Sequence, residues 1–243
     1  MLQILIISSC TKAKKYSYTK QLNCNKFQIT NDIENLVKEY QEISCRAKLL
    51  YEGSQHKNIL KGIEILRNYL KIDFYILSAG FGIINEEEII PAYECSFSKM
   101  KKQEIIERSI KLNISNIFKK LLSKNYDIIY LALGKKYLQA IPDWDRIIDT
   151  ITIAFTKSKN DKVISIKANN EIVSKYKKSG YKVHGTIAFK GDFLRIIGEK
   201  ISNEPNPNKK LEILLNSKEK LAKFLHEEIL VSNLLEKGNP IQG

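Results

Sequence analysis

The chain contains three stretches in which residues suited to anion binding or nucleophilic chemistry directly follow an apolar run. In the first, residues 8–15, hydroxyl groups, a thiol and several lysines come after the apolar residues 2–7. Backbone N–H groups in such a turn, together with ammonium groups, provide a phosphate-binding cradle. We therefore predict phosphate-binding roles for Ser9, Lys12, Lys14 and Lys15.

The thiol of Cys10 is a candidate nucleophile within this first stretch. Nearby ammonium groups favour the thiolate form of a cysteine, and the thiolate is the reactive form. A lone cysteine that follows a strand is more commonly a small packing residue. The sequence leaves both interpretations open.

The second and third stretches, residues 77–84 and 131–137, also end an apolar run in glycine or small residues. In the second, we predict that Ser78, Gly80 and Gly82 contact a ligand, and the alternative is a plain tight turn. The spacing is not that of a nucleophile elbow, which favours Ser78 as a hydrogen-bond donor. In the third, Gly134 precedes two lysines that open a helix, an arrangement that suits either a bound anion or a solvated turn.

Candidate acid–base groups lie elsewhere in the chain. Glu94 ends a loop that begins with three glutamates, and its neighbour Tyr93 is predicted to contact the ligand. His56 opens a helical pattern. Asp192 follows Lys190, for which we predict a phosphate contact. Carboxyl and imidazole groups are the usual general acids and bases, so Glu94, His56 and Asp192 are predicted to supply this function.

The elements that must position these residues alternate between apolar runs and helical periodicity. Residues 2–8, 73–78 and 127–132 read as buried strands, and residues 32–46, 56–70 and 99–122 carry apolar residues at helical spacing. Further strands are predicted over residues 146–155, 162–166 and 181–187, with a helix between the last two. Alternation of this kind predicts an open three-layer, mostly parallel α/β sheet, whose ligand crevice lies beyond the carboxyl ends of its strands.

We assign residues 1–200 to this α/β domain. A helix is predicted over residues 192–200, and residues 203–208 contain two prolines and three asparagines, which favour a linker or turn. Residues 201–243 are therefore predicted to form a linker and a C-terminal basic amphipathic helix over about residues 209–235. That helix has three candidate roles: capping the core, packing on a partner or lying along a nucleic acid. The final residues, 238–243, are expected to be disordered.

The composition is strongly basic, with a formal net charge of +13 over 243 residues. Such a charge favours polyanionic partners, and we expect nucleic acid, DNA rather than RNA, or a nucleotide. The alternative is that an AT-rich genome simply favours lysine codons. Four singly scattered cysteines give no metal-ligand spacing, so we expect neither metal nor cofactor. We read no signal peptide and no membrane span, and we expect a cytoplasmic protein with reduced thiols.

Four of these stretches together resemble a prokaryotic family of uncharacterised proteins. Its members carry an SC-x-x-K-K turn, an A-x-x-LY-x-G element, an LSA-x-(Y/F)-G loop and a P-Y-(D/E) sequence, which are similar to residues 9–15, 47–53, 76–82 and 91–94 here. Ala92 separates the proline from the tyrosine, unlike the family pattern. The resemblance covers residues 1–140, and residues 189–193 are similar to a late F-K-G-D element.

That family is in turn similar to the YaaA group, associated with peroxide stress and DNA binding, and to DpdC, implicated in processing deazaguanine bases in DNA. The resemblance implies a purine-like base or nucleotide as ligand. One hypothesis is an enzyme that performs hydrolysis or group transfer on such a ligand in the strand-end crevice. The alternative is a non-catalytic DNA-binding stress-response protein with steeply salt-dependent binding. The sequence leaves the substrate and the oligomeric state open.

Overall fold

The structure, a computed structural model, describes residues 1–16, 22–24 and 32–228. Its core is a six-stranded sheet in the order β10-β9-β8-β1-β4-β5, in which only β5 runs antiparallel to its neighbour. The strands described are β1 (Gln3–Ser9), β2 (Leu22–Asn23), β3 (Ser44–Arg46), β4 (Lys71–Ser78), β5 (Gly82–Asn85), β6 (Ile89–Pro91), β7 (Tyr93–Glu94), β8 (Ile128–Ala132), β9 (Thr152–Ala154) and β10 (Val163–Ser165).

Helices connect and flank the sheet. Those described are α1 (Ile33–Glu39), α2 (Ala47–Leu50), α3 (Ser54–Leu66), α4 (Lys102–Lys111), α5 (Ile114–Leu122), α6 (Lys135–Leu138), α7 (Asn170–Lys178), α8 (Phe189–Ser202), α9 (Pro207–Leu215) and α10 (Lys218–Lys223). The predicted fold class, a mostly parallel α/β sheet flanked by helices, is confirmed.

Strand β1 is the centre of the sheet because it is apolar on both faces. It pairs in parallel with β4 on one side and β8 on the other, and all but the first of its residues are buried. The register places Ser8 opposite Ala132 and Ser9 opposite Leu77, so the three strands end at the same edge. The segments that follow β1, β4 and β8 therefore meet at one edge of the sheet.

Two predicted helices are shorter than their periodicity suggests. Within residues 32–46 the helix ends at Glu39, and a 3-10 turn leads into β3, which pairs with β6. Within residues 99–122 the chain breaks between α4 and α5, because Asn113 adopts φ +52°, outside the helical region. Tertiary pairing and a single backbone angle override the apolar pattern in these segments.

The predicted strand over residues 181–187 is wrong. This segment forms an irregular connection between α7 and α8, and the backbone N–H of His184 donates to the carboxylate of Asp192 at 2.8 Å instead of to a strand. The Asp192 carboxylate at the start of α8 thus accepts the hydrogen bond that the His184 N–H would otherwise give to a neighbouring strand.

The C-terminal segment packs on the sheet and on α8. Residues 203–206 form a turn, and Pro207 begins α9, where its missing N–H costs no helical hydrogen bond. Leu211, Leu214 and Leu221 are buried against the core, as the first of the three predicted roles requires. The predicted single helix from about residue 209 is wrong in its continuity, because it breaks at Asn216 and Ser217, where the Ser217 side chain caps α10, and residues 224–228 form a π-helical turn. Its predicted extension to residue 235 and the expected disorder of residues 238–243 lie outside the described residues.

Cys24 and Cys95 form a disulfide bond, whereas Cys10 and Cys45 are free thiols. The expectation that all four thiols are reduced is therefore wrong for two of them. Their separation of 71 positions explains why spacing alone did not pair them. Among the described residues, none of the helices has the length and apolar character needed to cross a membrane.

Candidate functional site

The segments after β1, β4 and β8 meet at Cys10. Its backbone N–H donates to Leu77 O at 3.0 Å, which ties it to the end of β4. Its Sγ lies 3.1 Å from Tyr137 Oη, which projects from α6 after β8, and the same hydroxyl donates to Cys10 O at 3.3 Å. Sγ is buried, so a partner must approach it through the surrounding side chains.

Tyrosine hydroxyls surround this thiol in a buried network. Tyr51 Oη lies 2.8 Å from Tyr93 Oη, which accepts a hydrogen bond from Ser78 Oγ at 2.7 Å. Burial and the negative charge of Cys10 raise the pKa values of both tyrosines well above the usual range. Both hydroxyls therefore stay protonated at neutral pH and act as hydrogen-bond donors.

Ser78 is the turn-forming residue of the second predicted stretch. Its Oγ accepts from the backbone N–H groups of Gly80 and Phe81 at 3.0 Å and donates to Tyr93. The side chain is fully buried, so it orients Tyr93 rather than facing a crevice. Gly82 follows with φ +78°, a conformation that glycine adopts without strain and that starts β5.

The ammonium group of Lys14 lies beside this network. Its Nζ lies 4.4 Å from the ring centroid of Tyr93 and 5.9 Å from that of Tyr51, a cation–π geometry. It also donates to Thr11 O at 3.3 Å. Burial lowers the pKa of the Lys14 ammonium, and the negative charges of Cys10 and Glu94 oppose that shift. Lys14 is thus near enough to Cys10 and Glu94 for both to affect its pKa.

Glu94 stands at the edge of an open cleft. Its Oε1 lies 3.4 Å from Lys99 Nζ, and its Oε2 is buried without a hydrogen-bond partner in the part of the chain described. A buried, unpaired carboxylate oxygen is costly and is able to accept a proton or a ligand donor. The cleft has a volume of about 440 Å³ and is lined by Cys24, Glu94, Cys95, Ser96, Lys99, Met100, Glu104, Glu107, Arg108 and Lys111.

The cleft is connected to the thiol by hydrogen bonds. Ser96, in its wall, lies 3.4 Å from Tyr137 Oη, and that hydroxyl contacts Cys10. Arg108, which also lines the cleft, donates to Ala79 O and to Cys24 O. Burial lowers the pKa of the Arg108 guanidinium, although it stays charged at any physiological pH.

A second group of predicted residues lies where α3 and α8 begin. Ser9 Oγ accepts from Gln55 Nε2 at 3.1 Å, and Gln55 also donates to Ala132 O, so the start of α3 is fastened to the ends of β1 and β8. Lys190 is buried at the start of α8, with Nζ donating to Ile187 O at 3.0 Å. Burial lowers the pKa of Lys190 to about 8.

Asp192 is paired with His184 rather than with the Cys10 group. Its buried carboxylate accepts from the backbone N–H of His184 at 2.8 Å and lies 2.7 Å from His184 Nδ1. Asn58 and Arg195 surround the pair, since Asn58 Nδ2 lies 3.3 Å from His184 Nδ1 and Arg195 Nε donates to Asn58 Oδ1. Asp192, predicted as an acid–base group, thus orients the His184 ring.

His56 is fully buried, with ring contacts to Tyr51 and Phe74 and a 2.8 Å hydrogen bond between Nε2 and Lys48 O. Burial lowers the pKa of His56 to about 4. The imidazole is neutral at physiological pH, and its ring packs edge-on against the Tyr51 ring. Its position favours packing over proton transfer with a ligand.

The remaining predicted phosphate ligands are at the surface. Lys12 and Lys15 are exposed, and Lys15 Nζ lies 5.6 Å from the Tyr16 ring centroid. In the third stretch, Lys136 donates to Met100 O, so one of its two lysines ties α6 to the cleft wall.

Five of the predicted site residues come together in the structure: Cys10, Lys14, Ser78, Tyr93 and Glu94.

Sequence reasoning missed four residues of this site: Tyr51, Ser96, Arg108 and Tyr137. Tyr51 and Tyr137 stood within stretches already selected, in L-Y-x-G and after Gly134, so a buried tyrosine beside a strand end was the available signal. Arg108 lies on α4, whose sequence has the pattern of an ordinary amphipathic helix, so its spacing gave no sign of a role at the site.

This arrangement defines an α/β protein with a thiol, tyrosine and carboxylate site at the carboxyl ends of a mostly parallel sheet. The chain belongs to a family of unknown function, DUF6884, whose model matches residues 36–162. The matched segment contains Tyr51, Tyr93, Glu94 and Tyr137, whereas Cys10 and Lys14 precede it. A comparison with curated proteins finds no match. Within the described ranges, no group of three or more His, Cys, Asp or Glu side chains is arranged to hold a metal ion.

Proposed function

We propose that the chain is an enzyme that binds a nucleotide, or a modified purine base in nucleic acid, and performs hydrolysis or group transfer on it. The observation that carries the proposal is the meeting of three strand ends at Cys10, which is joined to Leu77 and Tyr137 by hydrogen bonds. Ligands of open α/β sheets bind at such an edge, and convergent polar groups there are the minimum condition for a catalytic site.

In this proposal, Cys10 is the nucleophile. The Lys14 ammonium lies beside the rings of Tyr93 and Tyr51, and Tyr137 Oη is 3.1 Å from Sγ. The buried, neutral hydroxyls of Tyr51 and Tyr93 form the polar network behind the thiol, and in this proposal they position it.

Glu94 is the general acid–base in the same proposal. Its Oε2 has no partner among the described residues, and its carboxylate faces the cleft that Ser96 connects to Tyr137. The cleft volume of about 440 Å³ lies within the range of small-molecule sites. A carboxyl group so placed is able to protonate a leaving group or to activate water.

Phosphate groups of the ligand are assigned to the exposed ammonium groups beside the site. Lys12 and Lys15 flank Lys14 and are exposed, which suits contacts with a nucleic-acid backbone. Lys190 is not assigned this role, because its Nζ is buried and bonded to Ile187 O.

Product formation from a substrate panel tests the proposal. The panel contains purine nucleotides, nucleosides, free bases and duplex DNA carrying deazaguanine bases, and products are followed by mass spectrometry. We expect the wild type to convert one class of substrate and Cys10→Ala and Glu94→Gln to lose this conversion. Cys45→Ala is the control, because Cys45 is also a free thiol, and it is expected to convert the substrate like the wild type. Conversion that survives both site variants would contradict the assignment.

The charge of the protein favours a second candidate, a non-catalytic DNA-binding stress-response protein. The net charge is +13, and Lys157, Lys167, Lys175 and Lys182 are exposed within one lysine-rich stretch. This candidate predicts sequence-tolerant DNA binding that weakens steeply with salt, because each phosphate contact releases a counterion. Duplex binding across a salt series, with no conversion of any substrate, would favour it over the enzyme.

A further inference from the structure

The disulfide between Cys24 and Cys95 joins the two short strands next to the catalytic carboxylate. Strand β2 (Leu22–Asn23) pairs in parallel with β7 (Tyr93–Glu94), with Asn23 opposite Glu94. Cys24 directly follows Asn23, and Cys95 directly follows Glu94. The bond therefore closes this strand pair at the very end that carries Tyr93 and Glu94.

The two sulfur-bearing residues differ in their access to solvent. Cys95 is buried, with 4% of its surface exposed, whereas Cys24 is partly exposed, and both line the 440 Å³ cleft. A thiol that enters the cleft reaches the Cys24 side of the bond first. Cys95 is then the leaving group, and it departs into a buried environment beside Glu94.

We propose that Cys24–Cys95 is a redox site, reduced by dithiols through the cleft, whose state controls the position of the Glu94 strand. A thiolate of the dithiol attacks Cys24 Sγ, the Cys24–Cys95 bond breaks, and Cys95 leaves as a thiolate that takes up a proton. The second thiol of the reductant then attacks the reductant's first sulfur, which is joined to Cys24 in the mixed disulfide. Cys24 is released as a thiol, and the reductant, now a cyclic disulfide, has supplied two electrons.

The disulfide is the covalent link between two very short strands. Each strand has two residues, and Leu22 and Tyr93 are buried in the core, so packing also holds the pair in place. Arg108 also donates to Cys24 O at 3.4 Å. Asn23 and Glu94 lie at the end that the disulfide closes, so reduction removes the covalent restraint there and lets the Glu94 end of β7 move relative to β2.

Redox control of the Glu94 strand also affects the proposed enzyme, and this effect alone rests on the proposed function. The oxidised chain holds Tyr93 and Glu94 in the arrangement described and is the active form, whereas the reduced chain is the less active form. The site itself, its reduction and its effect on the strand are properties of the disulfide and need no substrate.

Peptide mapping under non-reducing conditions tests the site first. After mild oxidation we expect a linked peptide containing Cys24 and Cys95, with Cys45 free. A monothiol such as glutathione is then expected to form its adduct on Cys24, since that sulfur is the accessible one. A chain without the linked peptide, or an adduct found on Cys95 instead, would overturn the proposal.

Hydrogen exchange with mass spectrometry tests the control of the strand. In a peptide containing Tyr93 and Glu94, reduction by dithiothreitol is expected to raise the exchange rate about tenfold, as loss of a local restraint does. A Cys24→Ser/Cys95→Ser variant is expected to match the reduced wild type, while Cys45→Ser responds to reduction like the wild type. Equal exchange in the oxidised and reduced chains would refute control by the disulfide.

These measurements separate the inference from the proposed function. If mapping and exchange behave as expected but no substrate is converted in either state, the redox site stands and the enzyme proposal fails. If a substrate is converted through Cys10 and Glu94 at the same rate in both states, the enzyme stands and the redox control is wrong.

Discussion

Cys10 Sγ and Tyr137 Oη lie 3.1 Å apart, although 127 positions separate the two residues in the chain. The contact joins the segment after β1 to the helix after β8, and the hydroxyl also donates to Cys10 O. It therefore connects the proposed nucleophile to the rest of the strand-end edge, and its loss has both structural and chemical consequences.

Replacing Tyr137 with phenylalanine is expected to lower the free energy of unfolding by about 1–3 kcal/mol, because the buried carbonyl of Cys10 loses its donor. Tyr181→Phe is the matched control, since Tyr181 Oη is buried without a partner in the described residues and its removal should cost nothing. Urea denaturation of both variants measures the difference. Equal losses in the two variants would show that the Tyr137 hydrogen bonds contribute little.

Gly191 is expected to tolerate no side chain. A Cβ at this position would overlap Gln55 O, where α8 crosses the start of α3, and backbone cannot yield as a flexible side chain does. Gly191→Ala should therefore destabilise the fold by at least about 1–3 kcal/mol despite the better helix propensity of alanine. Gly134→Ala, where a Cβ would meet nothing within 4 Å, is the control in thermal denaturation. Comparable melting temperatures for both variants would be inconsistent with this packing.

His56 predicts an acid-sensitive contribution to stability. Burial lowers its pKa to about 4 in the folded chain, against 6.5 when exposed. A depressed pKa gives stability that is fully present above pH 6.5 and is lost as pH falls towards 4, on the order of 3 kcal/mol. Relative to His56→Gln, the wild type should lose unfolding free energy between pH 7 and pH 4. A constant difference across this range would mean that the imidazole is not buried in its neutral form.

Lys190 predicts a pH dependence of the same sign at alkaline pH. Its folded pKa is about 8 against 10.5 when exposed, because burial penalises the charged ammonium. The unfolded chain therefore binds the extra proton between pH 8 and 10.5, and stability rises with pH in that window, by about 3 kcal/mol in all. Lys190→Met should remove this rise, as measured by chemical denaturation at pH 7.5 and 10. A wild type and variant with parallel pH profiles would contradict the buried ammonium.

The sequence predicted the centre of the fold because apolar runs at β1, β4 and β8 leave little alternative to buried parallel strands. The three candidate stretches were found for the same reason, since each follows one of these strands directly. Cys10, Lys14 and Ser78 were selected in this way, and they come together around Tyr93.

The parts that sequence reasoning missed depend on interactions without a local signal. Strands β2 and β7 have two residues each, too few for a periodic pattern, and the Cys24–Cys95 bond spans 71 positions. Residues 181–187 have a sequence typical of a strand, but the His184 N–H donates to the Asp192 carboxylate instead of to a neighbouring strand. Asn113 ended a helix through one backbone angle.

The most direct test of the proposed site is the affinity of purine nucleotides for the wild type, for Glu94→Gln and for Glu204→Gln, measured by calorimetry. Glu204 is a matched control, because its side chain is 30% exposed and lies 3.3 Å from Lys210, against 33% and 3.4 Å from Lys99 for Glu94. We predict binding by the wild type and Glu204→Gln and a Kd raised about tenfold or more in Glu94→Gln, as expected for a lost buried acceptor. Equal binding by all three proteins, or no nucleotide binding while salt-sensitive DNA binding persists, would contradict the account.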